Sequence, residues 1–262
     1  MREEVRFSGP LKRATVSQEA GRWFVSVMVD TPDIKPVDQP LPVVGVDLGI
    51  KAFATLSTGE SIEGPKAHKT ALKRLRRANK ALARKRKGSA NFRKAKRRLA
   101  RIHSRVANIR KDATHKLTTM LAKTFKVIGI EKLNVKGMAA NRSLARSVMD
   151  GGFFEFRRQL TYKTQFYGAR LVVADRWEPS SKTCSCCGVV KPTLDLAERT
   201  FRCDDCGFEA DRDHNAATNL ARIAASSAVT ACGEMRPGAV RKSRVKRASV
   251  KQEETTTLKD AA

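Results

Sequence analysis

Apolar and polar positions along the chain change period several times, and each change marks an element. Within residues 11–30, Trp23, Val25, Val27 and Val29 alternate with Phe24, Ser26 and Met28, the period of a strand. "QEAG" at 18–21 supplies a turn, so the stretch predicts a hairpin. The proline-rich "TPDIKPVDQPLP" at 31–42 reads as a linker. An apolar strand, Val43 to Val46, then ends on Asp47; Gly49 permits a tight turn, and Ala52 to Leu56 returns as a second strand. Further apolar strands run from Val127 to Ile130, ending on Glu131, and from Leu171 to Ala174. Amphipathic helices are predicted over Phe153–Tyr167 and from about Asn215 to Ser226.

Between 64 and 111 the apolar residues keep a helical period. Leu72, Leu75 and Leu82 share a heptad seam with Asn79, and Phe92, Ala95, Leu99, Ile102, Val106, Ile109 and Ala113 continue at three-four spacing. "KGSAN" at 87–91 separates the two runs, which predicts an antiparallel helical hairpin reaching to about residue 125.

Charge changes how this hairpin is read. The same stretch holds 20 Lys or Arg and no Asp or Glu, within a chain of net charge +27. An all-cationic helix face gains no i,i+4 pairing and repels itself. A polyanionic backbone relieves that repulsion, so Lys73, Arg74, Arg77, Arg84, Lys85, Arg93, Lys94, Arg97, Arg98, Arg101 and Arg105 are candidate phosphate contacts. Apolar runs stay short of membrane-spanning length, and "MREEVRFSG" carries no signal-peptide core. The expectation is a cytoplasmic protein without a membrane partner, associated with the nucleoid when bound to DNA.

In a reducing compartment, cysteines in pairs suggest a metal site before disulfides. Cys184 and Cys187 form one C-x-x-C, Cys203 and Cys206 a second, with fifteen residues between the pairs. Gly188 and Gly207 follow the pairs, where such turns need a permissive backbone. Two such knuckles close a four-thiolate zinc site, structural because it leaves no open coordination position. Cys186 is expected to stay outside the site, and Cys232 is a lone thiol.

Three acids lie at element ends. Singly, each has an ordinary explanation: Asp47 as a turn aspartate, Glu131 at a strand end facing solvent, Asp213 as a helix N-cap. Together they follow the order strand, hairpin partner, later strand, helix, which is the order of an RNase H-like nuclease. Converging carboxylates require cations, and two Mg²⁺ or Mn²⁺ would satisfy them and serve phosphodiester hydrolysis. The fold class expected is α/β: an RNase H-like core over 41–176, carrying the basic hairpin as an insertion. A zinc ribbon follows at 177–210, then a last core segment and helix at 211–230. Residues 1–40 form a separate hairpin and linker, and the basic tail from 231 to 262 is expected to be disordered.

"GVDLGIKAFATLS", "IGIEKLNVKGM", "FRRQLTYKTQFYGARLVVADRWEPSSKTCSCCG" and "CDDCGFEADRDHNAATNLAR" resemble the TnpB (OrfB) family of transposon-encoded proteins, over roughly residues 11–226. The resemblance implies a RuvC-like, RNA-guided DNA endonuclease with a zinc ribbon, related to miniature type V CRISPR effectors. It implies Asp47, Glu131 and Asp213 as catalytic acids, Asp213 over Asp211 because the family's last acid directly precedes x-N-A-A. It implies a DNA target and a guide RNA as partners. The chain opens at what looks like the last hairpin of the family's wedge barrel, so an N-terminally short copy is expected. Two other readings use the same residues: a non-cleaving DNA- or RNA-binding remnant, and a structural zinc-ribbon protein bound to RNA. Mg²⁺-dependent cleavage separates the first reading from both.

Overall fold

The computed structural model describes residues 9–30, 36–195 and 198–233, with side chains as far as Ser227. The predicted basic tail lies outside the described residues from 234 onward, as does the linker segment 31–35.

The N-terminal hairpin is as expected: β1 (Leu11–Glu19) pairs antiparallel with β2 (Arg22–Val29). Ala20 and Gly21 turn it with φ of 52° and 74°, and the turn rests on the basic hairpin. The core is a five-stranded mixed sheet in the order β5-β4-β3-β6-β7. Its members are β3 (Leu41–Asp47), β4 (Ala54–Leu56), β5 (Ser61–Ile62), β6 (Phe125–Glu131) and β7 (Arg170–Ala174). β3, β6 and β7 run parallel, while β4 returns antiparallel to β3. Three apolar runs ending on one side of the sheet follow from this parallel order, because crossover helices carry the chain back each time.

The basic region forms α1 (Ala67–Ala83) and α2 (Ala90–Thr124), the latter running directly into β6. Ser89 caps α2, its hydroxyl accepting from the Phe92 amide. The seam differs by one residue from the heptad reading. Ala78 is buried beside Leu75, and Asn79 is exposed, because close helix approach selects the small side chain over a polar layer.

Two short helices were not legible, α3 (Val135–Ala140) and α4 (Ala145–Gly151). α5 spans Phe153–Tyr167, the predicted bounds. The helix predicted from Asn215 begins earlier, α6 running from Arg212 to Gly233.

Strand alternation divides the sheet into two layers. Val44 and Val46 of β3 and Ile128 and Ile130 of β6 join Leu117 and Leu121 of α2 and Phe153, Phe156 and Leu160 of α5 in one core. Phe53 stacks on Phe153 with centroids 6.0 Å apart. The opposite face meets α6. There Gly45 and Gly129, register partners, leave no room for a Cβ: one at Gly45 would lie 1.9 Å from the Ala217 carbonyl oxygen, and one at Gly129 2.4 Å from that of Leu220. The helix backbone therefore lies directly on the strands.

Between β7 and α6 sits a small lobe. β8 (Thr200–Arg202) and β9 (Glu209–Asp211) form its second hairpin, and a bridge between Thr183 and Val190 marks its first.

Candidate functional site

The two C-x-x-C turns of the lobe share one backbone pattern. Gly188 donates to the Cys184 carbonyl (2.9 Å) and Cys184 to that of Val189 (2.8 Å). Likewise Gly207 donates to Cys203 (3.1 Å) and Cys203 to Phe208 (2.8 Å). Gly188 and Gly207 have φ of 82° and 70°, the conformation their positions after the pairs demand. The four sulfurs of Cys184, Cys187, Cys203 and Cys206 lie within 4.8 Å of one another. The Cys184–Cys206 and Cys187–Cys203 separations are 3.7 and 3.6 Å. A regular tetrahedron of sulfurs with metal–sulfur bonds of about 2.3 Å has edges of about 3.8 Å, so this donor set fits a four-thiolate metal. Burial works against a thiolate at Cys184, but backbone N–H groups of Cys187 and Cys186 aimed at its sulfur bring the thiol down to about 7. Cys186 is exposed and outside the group. The side chain of Cys232 lies outside the described residues.

The three acids come from β3, β6 and α6. Asp47 follows Gly45 by two residues and Glu131 follows Gly129 by two, so both belong to the face on which α6 lies. The register partners Val46 and Ile130 place the two acids side by side at the strand ends. Asp213 is in the first turn of α6. Burial pushes Asp47 up to about 7, reinforced by the charges of Asp213 and Glu131; Arg212 opposes this, and Asp211 adds to it. Burial also raises Glu131. A buried carboxyl with like charges acting on it favours a proton or a cation, while among the described residues the four cysteines are the only group of His, Cys, Asp or Glu whose ligand atoms lie close enough to hold one metal ion.

Asp211 and Asp213 have different tasks. The Asp211 carboxylate accepts from the amides of Asp213 (2.9 Å) and His214 (3.2 Å), so Asp211 caps the helix. The capping reading considered for Asp213 therefore belongs to Asp211. Asp213 is instead 3.4 Å from the Arg212 guanidinium.

All eleven basic candidates are exposed. Eight of them, Arg74, Arg77, Lys85, Lys94, Arg97, Arg98, Arg101 and Arg105, line a groove of about 1740 Å³ whose walls are α1, α2 and the β1–β2 turn. Lys73, Arg84 and Arg93 do not line it. Two of the eight also hold the hairpin: Arg97 packs beside Gly21, and Arg101 donates to the Ala20 carbonyl at 3.4 Å. Among the described residues no helix is long and apolar enough to cross a membrane.

Sequence reasoning missed the glycine pair, the Asp211 cap and two buried asparagines of α6, Asn215 and Asn219. Signals existed for two of these: Gly-x-Asp and Gly-x-Glu recur at the ends of β3 and β6, and the asparagines are spaced i,i+4.

Comparison with known proteins matches residues 24–142 to the OrfB family, described as "Probable transposase", and 153–220 to the "Cas12f1-like, TNB domain". A "Putative RNA-guided DNA endonuclease" of Streptomyces pristinaespiralis is 44% identical over 258 residues, spanning 95% of this chain and 63% of that protein. One from Escherichia coli K12 is 36% identical over 249 residues, spanning 89% and 61%. The chain thus spans about three-fifths of the length of these relatives. A cryo-EM structure of a Cas12f1–sgRNA–target DNA complex shares the fold with a TM-score of 0.54 at 20% identity, covering 76% of this chain and 42% of that one.

Proposed function

The chain belongs to the TnpB (OrfB) family, and from that premise we propose that it is a transposon-associated, metal-dependent DNA endonuclease guided by RNA. What supports this reading is the placement of Asp47 and Glu131 at two adjacent parallel strand ends, with the charges of Glu131 and of Asp213, in the first turn of α6, acting on Asp47. The core is read as RNase H-like, with α1–α2 as its inserted basic arm and the cysteine lobe as its inserted ribbon. The names of the relatives support the nuclease class and a nucleic-acid guide.

Asp47, Glu131 and Asp213 would hold Mg²⁺ or Mn²⁺, hard cations suited to carboxylate oxygens. Such ions supply water activation and charge stabilisation in an in-line phosphodiester displacement. The chain's own work is placement. Side-by-side strand ends fix Asp47 and Glu131, and the Asp211 cap fixes the helix turn that presents Asp213. Cys184, Cys187, Cys203 and Cys206 would hold a structural zinc. The exposed arginines and lysines of the groove would contact the phosphates of guide RNA or DNA target.

The test is plasmid cleavage by the chain purified with RNA from its native flanking DNA, with Mg²⁺ and Asp47→Ala as control. Cutting by the wild type alone supports the proposal. Equal cutting by both removes Asp47 from the metal site. Binding without cutting favours the non-cleaving reading.

A further inference from the structure

The first cysteine knuckle is tied to the helix that carries Asp213 by two side chains with no part in either metal set. Asn215 is fully buried and Asn219 is 5% exposed. The Asn215 side-chain carbonyl accepts from the Ser185 amide at 2.9 Å, and its NH₂ donates to the Thr183 carbonyl at 2.8 Å. The Asn219 NH₂ donates to the carbonyls of Ser180 (2.8 Å) and Thr183 (2.7 Å). Residues 180–185 are the entry to the knuckle, and Ser185 lies between Cys184 and Cys186. At i,i+4 the two amides stand on one face of α6 and grip a single stretch of backbone.

The other knuckle reaches the same helix by a different route. Cys203 follows β8, β8 pairs with β9, and β9 ends at Asp211, the cap of α6. The start of α6 is therefore attached to both knuckles, to one through chain and strand pairing and to the other through Asn215 and Asn219. A metal bound by all four thiolates closes that ring.

We infer that Asn215 and Asn219 are positioning residues that transmit the closure of the cysteine site to the first turn of α6, and so set Asp213 against Asp47 and Glu131. The inference builds on the reading of those acids as a divalent-cation site. Packing alone would not need amides here. Apolar residues of similar size would leave the Ser185 amide and the Thr183 and Ser180 carbonyls buried without these partners, an expensive state for backbone groups. An amide also fixes direction, because Asn215 both accepts and donates.

The experiment uses the full chain, Mn²⁺ as the probe of the acidic site by electron paramagnetic resonance, zinc analysis, and amide hydrogen exchange over 211–216. In the wild type, zinc removal is expected to weaken Mn²⁺ binding about tenfold and to speed exchange at the Asp213 and His214 amides. Zinc-loaded Asn219→Ala is expected to keep one zinc yet show the same tenfold loss, with little further change on chelation. Leu160→Ala, which weakens the opposite core layer, should leave Mn²⁺ affinity unchanged. Wild-type Mn²⁺ affinity in zinc-loaded Asn219→Ala overturns the inference. So does wild-type exchange at Asp213 and His214 that is indifferent to zinc, a measurement that requires no variant to fold. Failure of the underlying reading looks different: Asp47→Ala would bind Mn²⁺ as the wild type does, while the exchange result still decides the clamp.

Discussion

Gly45 and Gly129 are paired across β3 and β6, and each turns its α-carbon to the backbone of α6. Two residues further along each strand stands an acid. The absence of two side chains thus brings the helix bearing Asp213 onto the strand ends bearing Asp47 and Glu131. Gly129→Ala would place a methyl 2.4 Å from the Leu220 carbonyl oxygen and 2.9 Å from the Ala224 Cβ. Backbone is the obstacle, so the helix must lift. The expected cost is about 2 kcal/mol or more, at the upper end for overpacking. Urea unfolding midpoints of wild type and variant measure it; an unchanged midpoint would show that the helix sits further from the sheet.

Helix α1 starts without a cap of its own. Lys66, at its N-cap position, has φ 44° and makes no side-chain cap bond. Asp150 of α4 does the job from outside: its carboxylate accepts from the His68 amide at 3.0 Å and the Lys69 amide at 3.2 Å. Asp150→Ala is expected to cost about 1–2 kcal/mol. Asp150→Asn retains one acceptor and should lose less. Amide exchange at His68 and Lys69 reads the effect directly, and equal protection in all three proteins would contradict it.

The cysteine lobe has little apolar material. Phe201 with Cys184 and Cys203 forms its centre, flanked by Leu194 and Phe208. A core this small does not hold a lobe together, so a metal held by the four thiolates would supply most of its folding free energy. Cys203→Ser should reduce bound zinc from one per chain to none and unprotect amides 183–190 and 200–210, leaving the sheet amides protected. A variant that still carries one zinc would remove Cys203 from the donor set.

Much of this was legible because the determinants are local. A C-x-x-C turn needs a following glycine, and an acid ending an apolar run shows in the sequence alone. What was hidden depends on the partner. Whether Ala78 or Asn79 faces α2 follows from how closely two helices approach. Asp150 looks like any helix acid until α1 is placed beside it, and Gly45 looks like an ordinary strand glycine until α6 lies on it. The resemblance already put Asp213 ahead of Asp211, but that Asp211 caps the helix shows only once the helix start is placed.

Arg98 and Arg105 line the basic groove, and neither is among the side chains that hold the β1–β2 turn. Each phosphate contact releases condensed counterions on binding, so replacing both by Ala should flatten the slope of log affinity against log salt by about 2. Arg97 and Arg101 are poorer choices, because they also support the hairpin turn. Fluorescence anisotropy with a short RNA across a salt series checks this, and parallel lines for variant and wild type would place the phosphates elsewhere.

Asp47 gives the metal-free protein a distinctive pH dependence. Its carboxyl is pushed up to about 7 in the fold, by burial first and then by Asp213 and Glu131, against about 3.9 when unfolded. Between those values the folded state holds a proton that the unfolded state has released. Its contribution to stability is therefore complete below about pH 4 and is lost as pH rises through 7. Glu131, also raised by burial, acts in the same direction. Without divalent cation, the unfolding free energy should fall between pH 5 and about pH 7, by at most about 1.4 kcal/mol per pH unit from Asp47, and the Asp47 contribution should be level by about pH 8. Mg²⁺ takes the proton's place against the same charges, so it should stabilise strongly at pH 8 and hardly at pH 5. Asp47→Asn removes the titrating charge and should flatten the metal-free profile while abolishing most of the Mg²⁺ effect. Thermal melts at the two pH values, with and without Mg²⁺, separate the cases. A wild-type profile that is flat, or a Mg²⁺ shift equal at both pH values, would mean that the three carboxylates do not meet as a cation site.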